Sequence, residues 1–495
     1  MIFSSIQYLL FLPVVVFLYW RTRGSVRLLL VVLASYFFYM SWLPVYGLFL
    51  LALTTINYLI GTALARVSGA EADAIVAASA AGEATSESLL KKRKLLLALG
   101  LFVNLGCLCY YKYTNFLIEN LAHSFTWLAG LLGSHAAPWD VPVLKVVLPL
   151  GISFFVFEFV HYLVDIYRGN KPIRSFMEFA AFASFFPSQI AGPIKRYQDF
   201  QEKLEVPEPW TSGLFSEGCA LIAQGLFKKV AIADPIGAVV NGSFQSLVPM
   251  SCADVIVAAI GFTIQVYCDF SGYTDIGRGS ALLLGIRLPE NFNLPYLATD
   301  LAELWRRWHM SLSFWLRDYV YIPLGGSRTG MFGNSRNLLI TMIVCGLWHG
   351  ASWHYIVFGA IHGSGLIVNR EYKNLLKKFK SYGALVNTAP GKMLAVLVNM
   401  MFIVATYAIF RAPDMVHVGN LAVSLGNVDM PCTLWEGIQK SGVIYLLAVY
   451  FAFWQVTELC ARRPDLFRWV RDAETEADQR LRFSAPLRWA SWTAA

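Results

Sequence analysis

Charge is scarce in this sequence: Asp, Glu, Lys and Arg together make up 15% of 495 residues, against roughly 25% in an ordinary soluble protein. Hydrophobic residues reach 57%. A water-soluble globule has no way to hide that much apolar surface, whereas a bilayer accepts it. Cysteine is also sparse. Eight cysteines are scattered over the chain, too few and too irregular for a disulfide framework. Cys107, Cys109, Cys268 and Cys345 fall inside apolar runs, where cysteine behaves as a small hydrophobe. Cys107 and Cys109 form C-x-C without a second pair, so no structural zinc site is expected. The sequence has no G-x-S-x-G elbow, Walker A loop, dinucleotide fingerprint or H-E-x-x-H. This excludes a hydrolase-type serine and nucleotide hydrolysis, and we expect no metal and no bound cofactor. Finally, no basic residue precedes the first apolar run, 6–20; Arg21, Arg23 and Arg27 follow it. A cleavable signal peptide has the opposite order, so this run reads as a retained first span with its N-terminus facing outward.

Mean hydropathy is +0.52 and formal net charge is +8. The basic residues sit mainly in short loops between apolar runs, the pattern of the positive-inside rule, so nucleic acid is not an expected partner. Candidate spans lie at 4–20, 28–43, 45–65, 95–111, 146–167, 253–268, 337–348, 352–369, 393–411 and 441–460. Loop 21–27 has three basic residues, segment 66–94 has five and loop 168–174 has three; 43–45 has none and 112–145 has two. That alternation places 21–27, 66–94 and 168–174 in the cytoplasm, together with the basic segment 370–392 and the arginine-rich tail 461–495. Segment 68–90, rich in Ala, Ser and Glu, reads as a mobile loop; the following KKRK run reads as a topological stop. The expected organisation is an N-terminal transmembrane scaffold (1–175, with cytoplasmic loop 66–94), a core (176–370), and C-terminal spans with a basic tail (371–495).

The core differs in kind, because its apolar runs are interrupted by Pro, Gly and charge. Irregular backbone at membrane depth is tolerated only where it is buried in protein or lines a wet cavity, and intramembrane ionisable residues are functional candidates. Two clusters qualify. Read as one helix, WRRWHMSLSFWLRD places Trp305, Trp308, His309, Leu312 and Leu316 on one face, with Arg306, Ser313 and Arg317 on a neighbouring polar face. That combination suits an anionic or amide-rich ligand, and equally an interfacial helix anchored by Trp and Arg. The second cluster, GLWHGASWH, sets His349 between Trp348 and Gly350, followed by Ser352, Trp353 and His354. A buried imidazole stays neutral and accepts a proton, as a general base must. A core histidine bonded to a neighbouring carbonyl is the plainer reading of the same spacing.

At these residues the chain resembles the membrane-bound O-acyltransferase superfamily. The likeness is to its bacterial branch, which contains the membrane subunit of alginate O-acetylation and the D-alanine transfer protein of teichoic acid modification. The resemblance is carried by MIFSS, LPLGISFFVFEFVHYLVDIYRG, FFPSQIAGPIKRYQDF, GLFKKVAIAD, CDFSGYTDIGRG, NFNLPYLATDLAELWRRWHMSLSFWLRDYVYIPLGG, GLWHGASWH and IFRAPD. It implies an all-α polytopic membrane protein, with about eleven or twelve spans plus re-entrant helices around a central funnel, in the bacterial inner membrane with a periplasmic N-terminus. It implies catalytic roles for His349 and His309, His349 as base and His309 orienting the donor or stabilising an oxyanion. Trp305, Arg306, Trp308, Ser313, Arg317, Trp348, Ser352, Trp353, Asp269 and Tyr273 are candidates for binding substrate or lining the funnel. The implied reaction moves an acetyl group from a cytoplasmic thioester, acetyl-CoA by family expectation, towards an exopolysaccharide such as alginate. The acetyl group passes directly to the polysaccharide or through a periplasmic SGNH-like acetyltransferase partner. D-alanyl transfer to a cell-wall polymer, and an acyl-group transporter without bond chemistry, are the alternatives.

Overall fold

The computed structural model describes residues 2–81, 87–132, 143–190, 192–379, 383–384 and 386–440. The span expected at 441–460 and the basic tail lie outside the described residues. The architecture is all-α, and among the described residues there is no strand. Helices α1 (Ile6–Arg21), α2 (Gly24–Met40), α3 (Pro44–Ala81), α4 (Glu87–Leu108), α5 (Thr114–Leu131), α6 (Ile152–Tyr167) and α7 (Phe176–Ser184) form the first half. A π-helical turn at Cys109–Tyr113 joins α4 to α5. The core follows as α8 (Tyr197–Glu205), α9 (Ser212–Leu226), α10 (Asp234–Gln245), α11 (Cys252–Leu282), α12 (Leu301–Arg307), α13 (Met310–Leu316), α14 (Gly330–His349) and α15 (Trp353–Lys378). Then come α16 (Ala389–Arg411) and α17 (Met415–Ser424).

Four stretches among the described residues are long and apolar enough to cross a membrane: Pro44–Gly69, Ser88–Leu131, Cys252–Leu282 and Ala389–Arg411. Large apolar side chains point outward from the first helices, among them Leu10, Phe17, Leu33, Phe37 and Leu48. In water such a surface would drive association; in a bilayer it faces lipid. The protein is a polytopic membrane protein.

Two sequence expectations change. Segment 68–90 does not begin as a loop, because α3 continues to Ala81 and α4 starts at Glu87. Ala and Glu are strong helix formers, and their run extends the span instead of ending it. Lys112 does not belong to a connecting segment either. It lies within the continuous apolar stretch Ser88–Leu131.

Without a hydrophobic drive between helices in lipid, packing relies on close backbone approach and shared hydrogen bonds. Asn57 on α3 and Asn104 on α4 exchange reciprocal amide bonds of 3.1 and 2.7 Å in a buried setting. Helices α14 and α15 meet at Gly346 and Gly359. A Cβ on Gly346 would lie 2.0 Å from the Tyr355 carbonyl oxygen, and one on Gly359 would lie 2.3 Å from that of Met342. Only glycine permits that approach, and it is what places the end of α14 against α15.

The interior divides into two apolar clusters. One gathers side chains of α1 to α4, α6 and α7 with Leu312, Trp315, Cys345 and Trp348. The other gathers α10, α11 and α15 to α17 around Tyr267, Trp308, Phe358 and Tyr407. Trp305 packs against both. The histidines singled out in the sequence lie along this seam.

Candidate active site

The expected single helix over 305–317 is broken. Helix α12 stops at Arg307, Trp308 is extended, and His309 adopts a left-handed conformation at φ 43° and ψ 54° before α13 begins. His309 and Leu294 are the non-glycine residues with positive φ among the described residues. Such a conformation costs on the order of 1–3 kcal/mol and persists only where its surroundings enforce it. Here the enforcer is the stretch 291–293. The Asn291 carbonyl accepts from Met310 N–H at 3.0 Å, and Asn293 N–H donates to the Arg307 carbonyl at 2.8 Å, clamping both sides of the break.

The Asn291 side chain completes the arrangement. Its Oδ1 accepts from Ser311 N–H (3.2 Å) and Ser311 Oγ–H (2.9 Å), and lies 3.2 Å from His309 Nδ1. The backbone N–H can only donate, so this amide atom is the acceptor and Nδ1 of His309 carries the proton. Nε2 then presents a lone pair. It is buried without a hydrogen-bond partner, in a residue only 1% exposed.

His349 ends α14 on the other side of Trp348. The Trp348 indole is 4.7 Å from the His349 ring and 5.7 Å from the His309 ring, centroid to centroid, and so touches both. Phe270 closes over His309 at 4.7 Å, and Phe410 over His349 at 4.9 Å. His349 is only partly buried, while the neighbouring His354 and His362 are buried at 2% and 1% exposure. His362 is tied to Thr406 Oγ1 (3.1 Å) and His354 to Ser352 Oγ (2.8 Å). Of these four imidazoles, His349 alone combines access with the absence of a described hydrogen-bond partner.

Other sequence candidates are placed as follows. Trp305 packs on His362 at 5.4 Å. Trp308 stacks on Tyr296 at 6.0 Å and forms a wall with Tyr267, Phe292 and Tyr407. Ser313 Oγ donates to the Trp308 carbonyl at 3.3 Å. The remaining candidates make their described contacts away from the imidazoles. Arg306 is exposed. Arg317 pairs with Asp318 at 2.7 Å. Trp353 is exposed and donates to Asn120 at 2.8 Å. Asp269 pairs with Lys229 at 2.6 Å, and Tyr273 packs near Phe3. The DFSGY segment reaches the site through Phe270, because Asp269 and Tyr273 point to other faces of α11.

Several residues in or packed around the site were not singled out from the sequence. Asn291 was visible only as part of a motif. Phe157 stacks on Trp315 at 3.8 Å and 8°, and on Trp348 at 5.6 Å and 19°, giving the site an aromatic floor. Lys112 and Tyr113, from the π-helical turn, donate to the carbonyls of Trp348 and Leu347. Among the described residues, no group of three or more His, Cys, Asp or Glu side chains is arranged to hold a metal ion.

The chain is 36% identical over 463 residues to a probable alginate O-acetylase of Pseudomonas aeruginosa, covering 93% of this chain and 77% of the relative. It is 40% identical over 376 residues to a probable alginate O-acetylase of Azotobacter vinelandii, covering 75% and 69%. A peptidoglycan O-acetyltransferase of Helicobacter pylori is 32% identical over 411 residues, covering 78% and 71%. Residues 74–409, which include both histidines, match the family described as MBOAT, membrane-bound O-acyltransferase. An all-α membrane fold, a histidine pair at the seam of its two clusters and this match lead to one conclusion: the chain is an acyltransferase and belongs to the membrane-bound O-acyltransferase family.

Proposed function

We propose that the protein transfers an acetyl group from a thioester donor, acetyl-CoA, for O-acetylation of an exopolysaccharide such as alginate. His349 is the general base. The observation that carries this reading is the contrast among the imidazoles: His349 is accessible and unpaired at the seam, and its neighbours are buried or tethered. In the step, His349 takes the proton of an acceptor hydroxyl as the oxygen attacks the thioester carbonyl. The C–S bond breaks, and the proton ends on the departing thiolate, so no net proton is consumed. General-base help of this kind contributes about 10²–10⁴-fold.

Of the two roles the resemblance implies for His309, orienting the donor fits its hydrogen bonding better than stabilising an oxyanion. With Nδ1–H committed to Asn291, its free Nε2 accepts hydrogen bonds. It therefore suits a donor amide N–H or the incoming hydroxyl, and holds the reactants against Trp348.

The membrane is the bacterial inner membrane, with the N-terminus periplasmic. Support comes from the basic residues in 21–27, 168–174 and 370–392. The 20 residues of α14 rise about 30 Å and hold His349 at the end away from Arg336. A cytoplasmic donor reaches the imidazole there. The acetyl group passes to a periplasmic SGNH-like acetyltransferase partner, which acts on the polysaccharide. The relatives named for alginate and peptidoglycan acetylation favour acetyl over D-alanyl. The test is O-acetyl quantification of surface polysaccharide in a His349→Ala strain with confirmed expression. Loss of O-acetyl groups is expected; unchanged acetylation overturns the reading.

A further inference from the structure

Lys112 is a cation set against Trp348, next to His349, and among the described residues no ion pair holds it. Its residue lies within the apolar stretch Ser88–Leu131. Its Nζ donates to the Trp348 carbonyl and lies 3.4 Å from Ser153 Oγ. No carboxylate is within ion-pairing distance among the described residues, since its described partners are a carbonyl, a hydroxyl and two aromatic faces. An ammonium has three N–H donors, and two are accounted for. Nζ is 5.8 Å from the Trp348 ring centre, and that ring is 4.7 Å from His349.

Capping the carbonyl end of α14 explains a donor here. A cation at a helix C-terminus gains about 0.3–1 kcal/mol at an exposed site. Tyr113, uncharged, already caps the adjacent carbonyl of Leu347 at 2.6 Å. A charged side chain at a helix end that a neutral hydroxyl already caps, with no ion pair among the described residues, calls for a further reason. Its access gives the direction. Lys112, Ser153, Phe154 and His349 are each partly exposed around Trp348, which is 8% exposed, so neither the ammonium nor the imidazole is sealed in the core. When a hydroxyl attacks a thioester there, negative charge develops on the carbonyl oxygen. His309 presents a lone pair at Nε2 and is not the donor for it.

We propose that the Lys112 ammonium stabilises this oxyanion, making Lys112 a catalytic residue of the transfer step. The proposal rests on the assignment of acyl transfer to His349. Thiol release from acetyl-CoA with a soluble hydroxyl acceptor, by purified protein in detergent, tests it. Lys112→Gln keeps an N–H for the Trp348 carbonyl and removes the charge. It is expected to lower kcat by about 10²–10³-fold, the range seen on removing one oxyanion donor, with KM nearly unchanged. Lys112→Arg should recover a large part of kcat, and Tyr113→Phe should stay close to wild type. If folded Lys112→Gln turns over like wild type, or if Tyr113→Phe falls as far, Lys112 is a cap only and the proposal is overturned. Should the glutamine variant fail to fold, Lys112→Arg decides. Turnover within tenfold of wild type supports the charge role, and a deeper loss in a folded protein overturns it. His349→Gln in the same assay separates the two ideas. Its full activity would sink the underlying reading, whatever Lys112 does.

Discussion

Replacing Asn291 by Ala would remove the acceptor on which three donors converge: Ser311 N–H, Ser311 Oγ–H and His309 Nδ1–H. A buried donor left without a partner costs about 1–3 kcal/mol, and the His309 ring loses the anchor on Nδ1 while the backbone clamp from 291–293 stays. At 1.36 kcal/mol per factor of ten, a loss of that size in the transition state lowers kcat by roughly 5- to 150-fold. Asn291→Asp retains an acceptor oxygen and should lose less. The assay is thiol release from acetyl-CoA by purified protein, with melting temperature as the control for folding. If Asn291 acts through His309, the two changes must not add. Asn291→Ala introduced into a His309→Ala background should lower kcat little further. Wild-type kcat in folded Asn291→Ala, or fully additive losses in the double variant, would refute the reasoning.

Other outcomes follow from the same geometry. Asp269→Asn should change kcat by no more than a few-fold, because its carboxylate is partly exposed on Lys229 and exposed ion pairs contribute about 0–1 kcal/mol; steady-state kinetics check this. Gly359→Val should disrupt the α14–α15 approach, where a Cβ alone would sit 2.3 Å from a carbonyl oxygen. Overpacking costs about 1–3 kcal/mol or more, visible as a lowered melting temperature together with lost turnover. Asn57→Leu should leave Asn104 without its amide partner and destabilise by about 0.6–1.7 kcal/mol, the range of single polar pairs between membrane helices, with kcat unaffected.

Much of this was legible in the sequence, for identifiable reasons. Apolar runs located most helices because lipid-facing side chains leave a composition signal at every turn. His349 stood out as an imidazole in an apolar segment. The break at Trp308–His309 did not, because a helical period in WRRWHMSLS continues across it. What ends the helix is a tertiary clamp from Asn291 and Asn293. Asp269 and Tyr273 looked equal to Phe270 in sequence, and only the rotation of α11 sends Phe270 to the site. Lys112 was counted as a loop charge because a lone lysine at the edge of an apolar run normally marks a boundary. Here a π-helical turn, Cys109–Tyr113, carries the helix through it and aims the side chain at α14.

The most direct measurement of the central claim is consumption of acetyl-CoA by purified protein in detergent, where no compartments remain, comparing wild type with His349→Ala of matched melting temperature. The account predicts thiol release by wild type and a loss of about 10²–10⁴-fold in the variant, deeper than in His309→Ala. Equal turnover by wild type and His349→Ala would contradict it.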